Sequence, residues 1–303
     1  MVNSLAIVGA GRVGRALGKR LREQGWRIGA VVTRSQSTAR RAVRFIGGGK
    51  ACAGISREVL AARVVLLATP DDELISVARQ AAEMLRQAGR RKTRGVIFLH
   101  SSGALDASIL DGLREHGAAV GSMHPLQTFS GVGVPLLEGK YFALEGDAPA
   151  VRAARSIVRS LGGLPVKISA RKKRLYHAAA ALAAGHVLAV EEAATRMLMT
   201  SGMQRHEAVS ALLGLTRQVL ENFERLGSRA AWTGPLARGD YRVILEHQEA
   251  MSELPAEYRN AYEALNRLCA RVLANDAQST LARLDKIAAR KRKVQKSRRV
   301  ERD

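Results

Sequence analysis

The sequence predicts an α/β protein: a parallel sheet of strand–helix units in the first part of the chain, followed by an all-helical second part. Three observations carry that expectation. Up to residue 168, short apolar runs alternate with helical patterns, the signature of βαβ units around a parallel sheet. From Ser169 onward no run alternates with period two, and apolar residues recur at helical spacing. Aromatic residues are only 4% of the chain and alanine is abundant, which favours close-packed helices over a β sandwich.

The elements follow in order. "LAIVGAG" reads as a strand and "GRVGRALGKRLREQG" as a helix that Gly25 can end. "WRIGAVVTRS" is a second strand, "STARRAVRFIG" a helix, "ARVVLLATP" a buried strand and "DDELISVARQAAEMLRQAG" a helix. "RGVIFLHSSG", "ALDASILDGLREHG" and "AAVGSMHP" continue as strand, helix and strand, and "KYFALEG", "APAVRAARSIVRSLGG" and "LPVKIS" as strand, helix and strand. Beyond Ser169, "RLYHAAAALAAGHVLAVEEAATRMLMTSG" reads as one long helix stopped by Gly202, and "HEAVSALLGLTRQVLENFERLG" as a second. "GDYRVILEHQEAM" and "PAEYRNAYEALNRLCARVLAN" make two more. The expected organisation is a nucleotide-binding domain over 1–168, a helical substrate or dimerisation domain over 169–285, and a disordered basic tail over 286–303.

The formal net charge is +22, which raises nucleic acid or an anionic membrane as partners. Residues 283–303 hold ten Lys/Arg against three Asp/Glu, with a further cluster at "RKKR", Arg171–Arg174. No aromatic residue interleaves with the charges of the tail, as stacking on single strands requires. A solvated tail with at most weak polyanion binding is expected. The longest apolar run is broken by His186 and is too short to span a bilayer. The opening "MVNSLAIVGAG" has neither a basic leader nor a cleavage site, so a cytoplasmic protein is expected. Cys52 and Cys269 suggest neither a disulfide framework nor a metal site.

"IVGAGRVGRALG" places Gly9, Gly11 and Gly14 in the G-x-G-x-x-G pattern, after a predicted strand and at the start of a predicted helix. That is the setting of a Rossmann dinucleotide site, in which glycines allow the tight turn, the approach of the pyrophosphate and helix–strand packing. Gly9, Ala10, Gly11, Arg12, Val13 and Gly14 are the expected cradle. An NAD site wants a carboxylate about 20 residues on. The chain has none between Arg27 and Arg44, and offers Arg34 with Thr33 and Ser35. Arg34 can pair with a 2′-phosphate that a carboxylate would repel, so the expected cofactor is NADP (NADPH). Thr69 and Pro70, at the end of "ARVVLLATP", complete the predicted cofactor set.

Ligands of an open parallel sheet bind beyond the carboxyl ends of its strands. Three such ends carry polar residues: "ATPDDE", "HSSGAL" and "SMHPLQTF". Asp71 and Asp72 are expected to cap a helix. Ser101 and Ser102 can donate to a substrate or equally cap "ALDASIL". His124 and Gln127 have no capping duty, and His124 falls where a hydride donor and its substrate would meet. Histidine titrates near neutral pH, so His124 is the candidate acid/base, with Ser101, Ser102 and Gln127 orienting.

Together the glycine motif, "LLATPDDEL", "HSSGAL", "GSMHPLQTF", "YHAAAALAAGH" and "TGPLARGD" resemble the family of Rossmann-like proteins with a DUF2520 C-terminal domain. That family is similar to ketopantoate reductase, the β-hydroxyacid dehydrogenases and pyrroline-carboxylate reductase. The resemblance implies an NADP-binding domain, a helical domain that dimerises, and hydride transfer at an interdomain cleft. Locally, His124–Pro125 is similar to the "HP" motif that carries a catalytic histidine in prephenate dehydrogenases, although here it continues "LQTF". The second part lacks the Lys-x-x-x-Asn pattern typical of β-hydroxyacid dehydrogenases and offers His177 and His186 instead. At about 100° per residue those two point to opposite sides of one helix. Arg238, in the turn of "TGPLARGD", can clamp a substrate carboxylate bidentately or pair with Asp240.

No H-E-x-x-H, G-x-S-x-G, Walker lysine or paired-cysteine spacing occurs, so hydrolase, kinase and zinc-site readings have no support. The reading that remains is an NADP-dependent oxidoreductase acting on a small, carboxylated carbonyl, hydroxyl or imine substrate, as a homodimer. The alternative is a non-catalytic NADP-binding sensor.

Overall fold

The computed structural model describes residues 3–89 and 95–300, with side chains through residue 289. Met1, Val2 and the last three residues of the predicted tail lie outside the described residues. The chain divides into two compact units, Met1–His186 and Val187–Asp303.

The first unit is an eight-stranded sheet in the order β3-β2-β1-β4-β5-β6-β7-β8. Its strands are β1 Ser4–Val8, β2 Arg27–Thr33, β3 Lys50–Ala53, β4 Val64–Leu67, β5 Ile97–His100, β6 Ala119–Pro125, β7 Tyr141–Gly146 and β8 Leu164–Lys167. All neighbours are parallel except β6 and β7. The inner strands read as unbroken apolar runs because both faces are covered. Leu5 and Ile7 of β1 enter one core while Ala6 and Val8 enter the other. Helices α1 Arg12–Glu23, α2 Gln36–Ile46, α3 Asp71–Ala88, α4 Asp111–Arg114 and α5 Ala148–Ser160 connect the strands. α1 adds Leu17 and Leu21 to the first core, and α3 adds Leu74, Ala78 and Leu85 to the second.

The sheet fixes where chemistry can sit. Val8 pairs with Val32 and Leu67, Leu67 with His100, and His100 with Ser122, so the carboxyl ends of β1, β2, β4, β5 and β6 share one edge. β6 is braced by Asp147, whose carboxylate accepts from the Val120 amide at 2.9 Å and from Arg114 Nη2 at 2.9 Å.

Three local readings change. β3, "KACA", has no apolar periodicity of its own and exists by pairing with β2. The expected helix over "ALDASILDGLREHG" is a short 3-10 turn, Ala107–Leu110, followed by the single-turn α4. Ser102 Oγ accepts from the amides of Ala104 and Leu105, and Asp106 Oδ1 from that of Ser108; such side-chain bonds compete with helix formation. The long helix expected from Arg174 to Gly202 is α6, Lys173–Ala181, a wide π turn over Leu182–His186, and α7, Val187–Thr200.

α6 belongs to the first unit although the sequence changes character at Ser169, because Lys173 and Tyr176 are hydrogen-bonded to β6 residues. The second unit holds α7, α8 Arg205–Leu226, α9 Ser228–Ala231, α10 Pro235–Arg238, α11 Tyr241–Ala250, α12 Ala256–Val272 and α13 Ala277–Val300. α8 opens with a capping box between Gln204 and Glu207. Leu236, Ile244, Ala270 and Leu284 form this unit's small core. Ile287, within the segment from 286 expected to be a basic tail, is buried on α13. Among the described residues, no helix is long and apolar enough to cross a membrane, and no group of three or more His, Cys, Asp or Glu is placed to hold a metal ion.

Candidate functional site

The first half of the site is a cavity of about 730 Å³ at the carboxyl ends of β1, β2 and β4, the point where strand order reverses and α/β sheets take ligands. Its floor is Gly9, Ala10 and Gly11; Thr33, Arg34 and Ser35 form one wall, and Thr69 and Pro70 another. The three motif glycines are there for different reasons. Gly9 has φ +91°, and a Cβ on it would lie 2.7 Å from the Ala68 carbonyl. A Cβ on Gly14 would lie 2.2 Å from the Gly9 oxygen. Both are required by the protein's own packing. Gly11 has an ordinary extended backbone as the N-cap of α1, and a Cβ on it would meet nothing within 4 Å. Packing therefore does not require Gly11, which caps α1 and leaves its backbone open to the approach of a ligand.

The electrostatics agree. α1 starts without a side-chain cap and without an acidic residue in its first turn, which leaves its free N–H groups and positive end available to an anion. Thr69 Oγ1 is buried without a hydrogen-bond partner, an arrangement that costs stability unless a ligand or water satisfies it. Arg34 is exposed beside the cavity. Thr33 and Ser35 are occupied locally: Thr33 Oγ1 donates to the Ser35 carbonyl at 2.8 Å, and Ser35 Oγ caps α2 by accepting from the Thr38 amide. These residues fit a phosphate-bearing dinucleotide, with Arg34 as the group free to meet a further phosphate. Arg12 does not line the cavity and instead stands against Gly131 of the loop after β6. Val13 packs against the first core.

The second half lies where β6 meets α6. Strand side chains alternate, so Ser122 and His124 share a face while Met123 enters the core behind. On α6, Lys173, Tyr176 and His177 are three and four residues apart and share a face too. Two residues of strand advance ~6.8 Å, and three or four residues of helix about 4.5–6 Å, so the two faces match. Lys173 Nζ donates to Ser122 Oγ and to Glu145 Oε1, the latter at 3.2 Å. Glu145 is the cross-strand partner of Ser122 on β7. One step along, His124 Nδ1 is 2.8 Å from the Tyr176 hydroxyl. The His177 ring stands edge-on to His124, with centroids 5.8 Å apart. Gly103 closes the other side: a Cβ there would lie 2.4 Å from His177 Cδ2 and 2.7 Å from His124 Nε2.

Burial pushes the His124 imidazolium down to about 4, and the nearby His177 and Lys173 add to the effect. His100, fully buried on β5, is pushed down to about 3 by burial and then by Lys173, and its Nδ1 accepts from the Ser102 amide at 3.2 Å. Both rings are therefore neutral at pH 7. Burial lifts the Tyr176 hydroxyl to about 12. Burial also lowers Lys173, against the opposing pull of Glu145.

Of the residues picked from the sequence, His124 and His177 come together. Ser102 is spent on structure: its hydroxyl donates to Asp71 Oδ2 at 2.9 Å while accepting from Ala104 and Leu105. Asp71 thus receives Ser102 and makes no side-chain cap for α3, whose N-cap is Pro70. Ser101 is half-buried at the end of β5, with its amide bonded to the Leu67 carbonyl. Gln127 folds back on its own loop, its Oε1 accepting from the Thr128 amide at 2.8 Å. His186 is exposed at the end of the π turn. Arg238, in the second unit, pairs with Asp240 at 3.1 Å.

Sequence reasoning missed Lys173, Tyr176, Glu145 and Ser122. Lys173 sits in "RKKR" and looks like a solvated charge, yet it is 1% exposed. One signal was present: Lys173 and His177 are one helical turn apart, and Tyr176 adjoins His177 in "YHAAAALAAGH".

Residues 2–125 match the family model of a Rossmann-like domain, and residues 140–269 match that of the domain of unknown function DUF2520. No curated protein matches the chain significantly. Among solved structures, a protein from Thermotoga maritima is 22% identical, with TM-score 0.64, covering 95% of this chain and 99% of its own. A reductive aminase from Aspergillus terreus, in complex with NADPH and ethyl-5-oxohexanoate, is 18% identical with TM-score 0.62, covering 89% of this chain and 94% of its own. A pyrroline carboxylate reductase from Plasmodium falciparum with NADP bound is 14% identical with TM-score 0.56, covering 87% and 95%. These likenesses establish the fold.

Proposed function

Because the chain belongs to the family that joins a Rossmann-like domain to a DUF2520 domain, we propose that it is an NADP-dependent oxidoreductase. Its substrate is a small, carboxylated carbonyl, hydroxyl or imine compound. The observation that supports this most directly is Gly11, a glycine with neither strain nor a neighbour to explain it, at the mouth of a cavity on the same sheet edge as His124. NADP-bound proteins among the structural neighbours agree with it.

Gly9, Ala10 and Gly11, with the start of α1, would hold the pyrophosphate, Arg34 the 2′-phosphate, and Thr69 Oγ1 a cofactor oxygen. When bound there, the cofactor supplies or accepts the hydride. The chain's own residues do the rest. His124 would hydrogen-bond to the substrate heteroatom and exchange a proton with it; burial keeps the ring neutral at pH 7, so a proton given from one ring nitrogen is replaced at the other. Gly103 keeps a side chain off the Nε2 edge of His124, and Lys173, locked to Ser122 and Glu145, fixes α6 against β6. Arg238 remains a candidate for holding a substrate carboxylate, in exchange for its partner Asp240. The second unit is proposed to pair with its copy through α7 and α8, where Leu188, Leu215 and Phe223 are exposed.

The test is NADPH oxidation over a panel of 2-oxo acids, aldehydes and cyclic imines. His124→Gln should keep NADPH affinity while lowering kcat about 10²-fold, the scale of a lost acid/base. Failure of the protein to bind NADPH would overturn the assignment. Full kcat in the variant would remove His124 from the chemistry.

A further inference from the structure

We propose that Tyr176 is a positioning residue: its hydroxyl donates to His124 Nδ1 and so holds His124 as the tautomer protonated on Nε2, the N–H that faces substrate. The inference rests on the reading of His124 as the proton partner, but it concerns this chain's own hydrogen bond.

A neutral imidazole has one donor and one acceptor nitrogen, and the bond made by one fixes the role of the other. Among the described residues only the Nδ1 edge of His124 is hydrogen-bonded, by the Tyr176 hydroxyl at 2.8 Å. Among the described residues that hydroxyl has no other hydrogen-bond partner, so donating to Nδ1 satisfies both groups at once. Were Nδ1 protonated instead, the half-buried phenol would accept and its own proton would be left without a protein partner. The rings stand nearly perpendicular, at 87° with centroids 5.6 Å apart.

The Nε2 edge faces Gly103 and makes no hydrogen bond among the described residues. A side chain on residue 103 would begin 2.7 Å from Nε2, and glycine removes it. The titratable groups acting on His124 are Lys173 and His177 from α6 and His100 from β5, besides Tyr176 itself. Among the described residues no carboxylate is hydrogen-bonded to the ring to draw the proton to Nδ1. Burial keeps the phenol protonated and the imidazole neutral at pH 7, so the donor–acceptor sense does not change across the neutral range.

Long-range ¹H–¹⁵N spectra of the uniformly ¹⁵N-labelled full chain, without added ligand, read the tautomer of each histidine directly, and His124→Gln assigns the signals. In the wild type at pH 7–8 the expected pattern is protonated Nε2 and unprotonated Nδ1. Tyr176→Phe should lower the Nε2–H to Nδ1–H ratio about five-fold or more, the effect of one lost hydrogen bond, with a native-like melting curve. A proton on Nδ1 in the wild type, or an unchanged ratio in Tyr176→Phe, overturns the proposal. If Tyr176→Phe does not fold, the wild-type spectrum still decides it, because only one of the two tautomers is compatible with Tyr176 as donor. A parallel NADPH titration separates the two readings. Absent NADPH binding with the expected tautomer sinks the oxidoreductase assignment alone, and the wrong tautomer with normal NADPH binding sinks this inference alone.

Discussion

Gly11 and Gly14 occupy the same short motif and should respond oppositely to the same methyl group. Gly14→Ala places a Cβ 2.2 Å from the Gly9 oxygen; strain of that kind costs ~1–3 kcal/mol, visible as a lower denaturation midpoint. Gly11→Ala meets no atom of the chain, so its stability should stay within about 0.5 kcal/mol of wild type. It should nevertheless weaken NADPH binding ten-fold or more. A destabilised Gly11→Ala variant with normal NADPH affinity would contradict the cradle. Arg34 gives a second residue-scale outcome. NADPH should bind at least ten-fold more tightly than NADH, a difference of ~1.4 kcal/mol, and Arg34→Asp should erase or invert that preference. Equal titration curves in the wild type would remove Arg34 from cofactor selection. The motif and the missing carboxylate were both legible in the sequence, because each is a property of a few consecutive residues. That Ser35 and Thr33 are occupied by local bonds was not legible, since it depends on how the turn closes.

At the scale of elements, α6 is held on β6 by two contacts of different kinds, the Lys173–Ser122–Glu145 cluster and the Tyr176–His124 bond. The cluster is almost wholly out of solvent, with Lys173 and Glu145 side chains 1% and 4% exposed. Removing one partner of a buried pair leaves the other uncompensated, at ~3–5 kcal/mol. Lys173→Met should cost about that much in urea denaturation, and Lys173→Met with Glu145→Gln should recover most of it. Equal losses in the single and double variants would show that the two residues are not coupled. The strand–helix pattern of β6 and α6 was readable from periodicity. Their match was not: "RKKR" looks like surface charge until the register of β6 against β7 sets Ser122 beside Glu145.

For the molecule as a whole, the second unit has a small core of Leu236, Ile244, Ala270 and Leu284, and leaves large apolar side chains in water. Leu188 is 70% exposed on α7 and Leu220 58% exposed on α8. Where such side chains join into one patch, they mark association, and they are the proposed contact between copies. The wild type should sediment as a dimer at micromolar concentration, and Leu188→Glu or Leu220→Glu should shift it toward monomer. A wild-type monomer under those conditions would contradict the proposed pairing.

The sequence by itself determined the α/β sheet, the helical second part and the dinucleotide motif, because apolar period, glycine spacing and the lack of an acid are written within single segments. It also located His124 at a strand end. Only the tertiary structure decided which groups surround that histidine. Tyr176, Lys173, Glu145 and Gly103 come from three other segments, and their meeting depends on sheet order, on the register of β6 with β7 and on the phase of α6. A one-residue slip in a strand turns every side chain to the other face, and nothing in a local pattern fixes that long-range register.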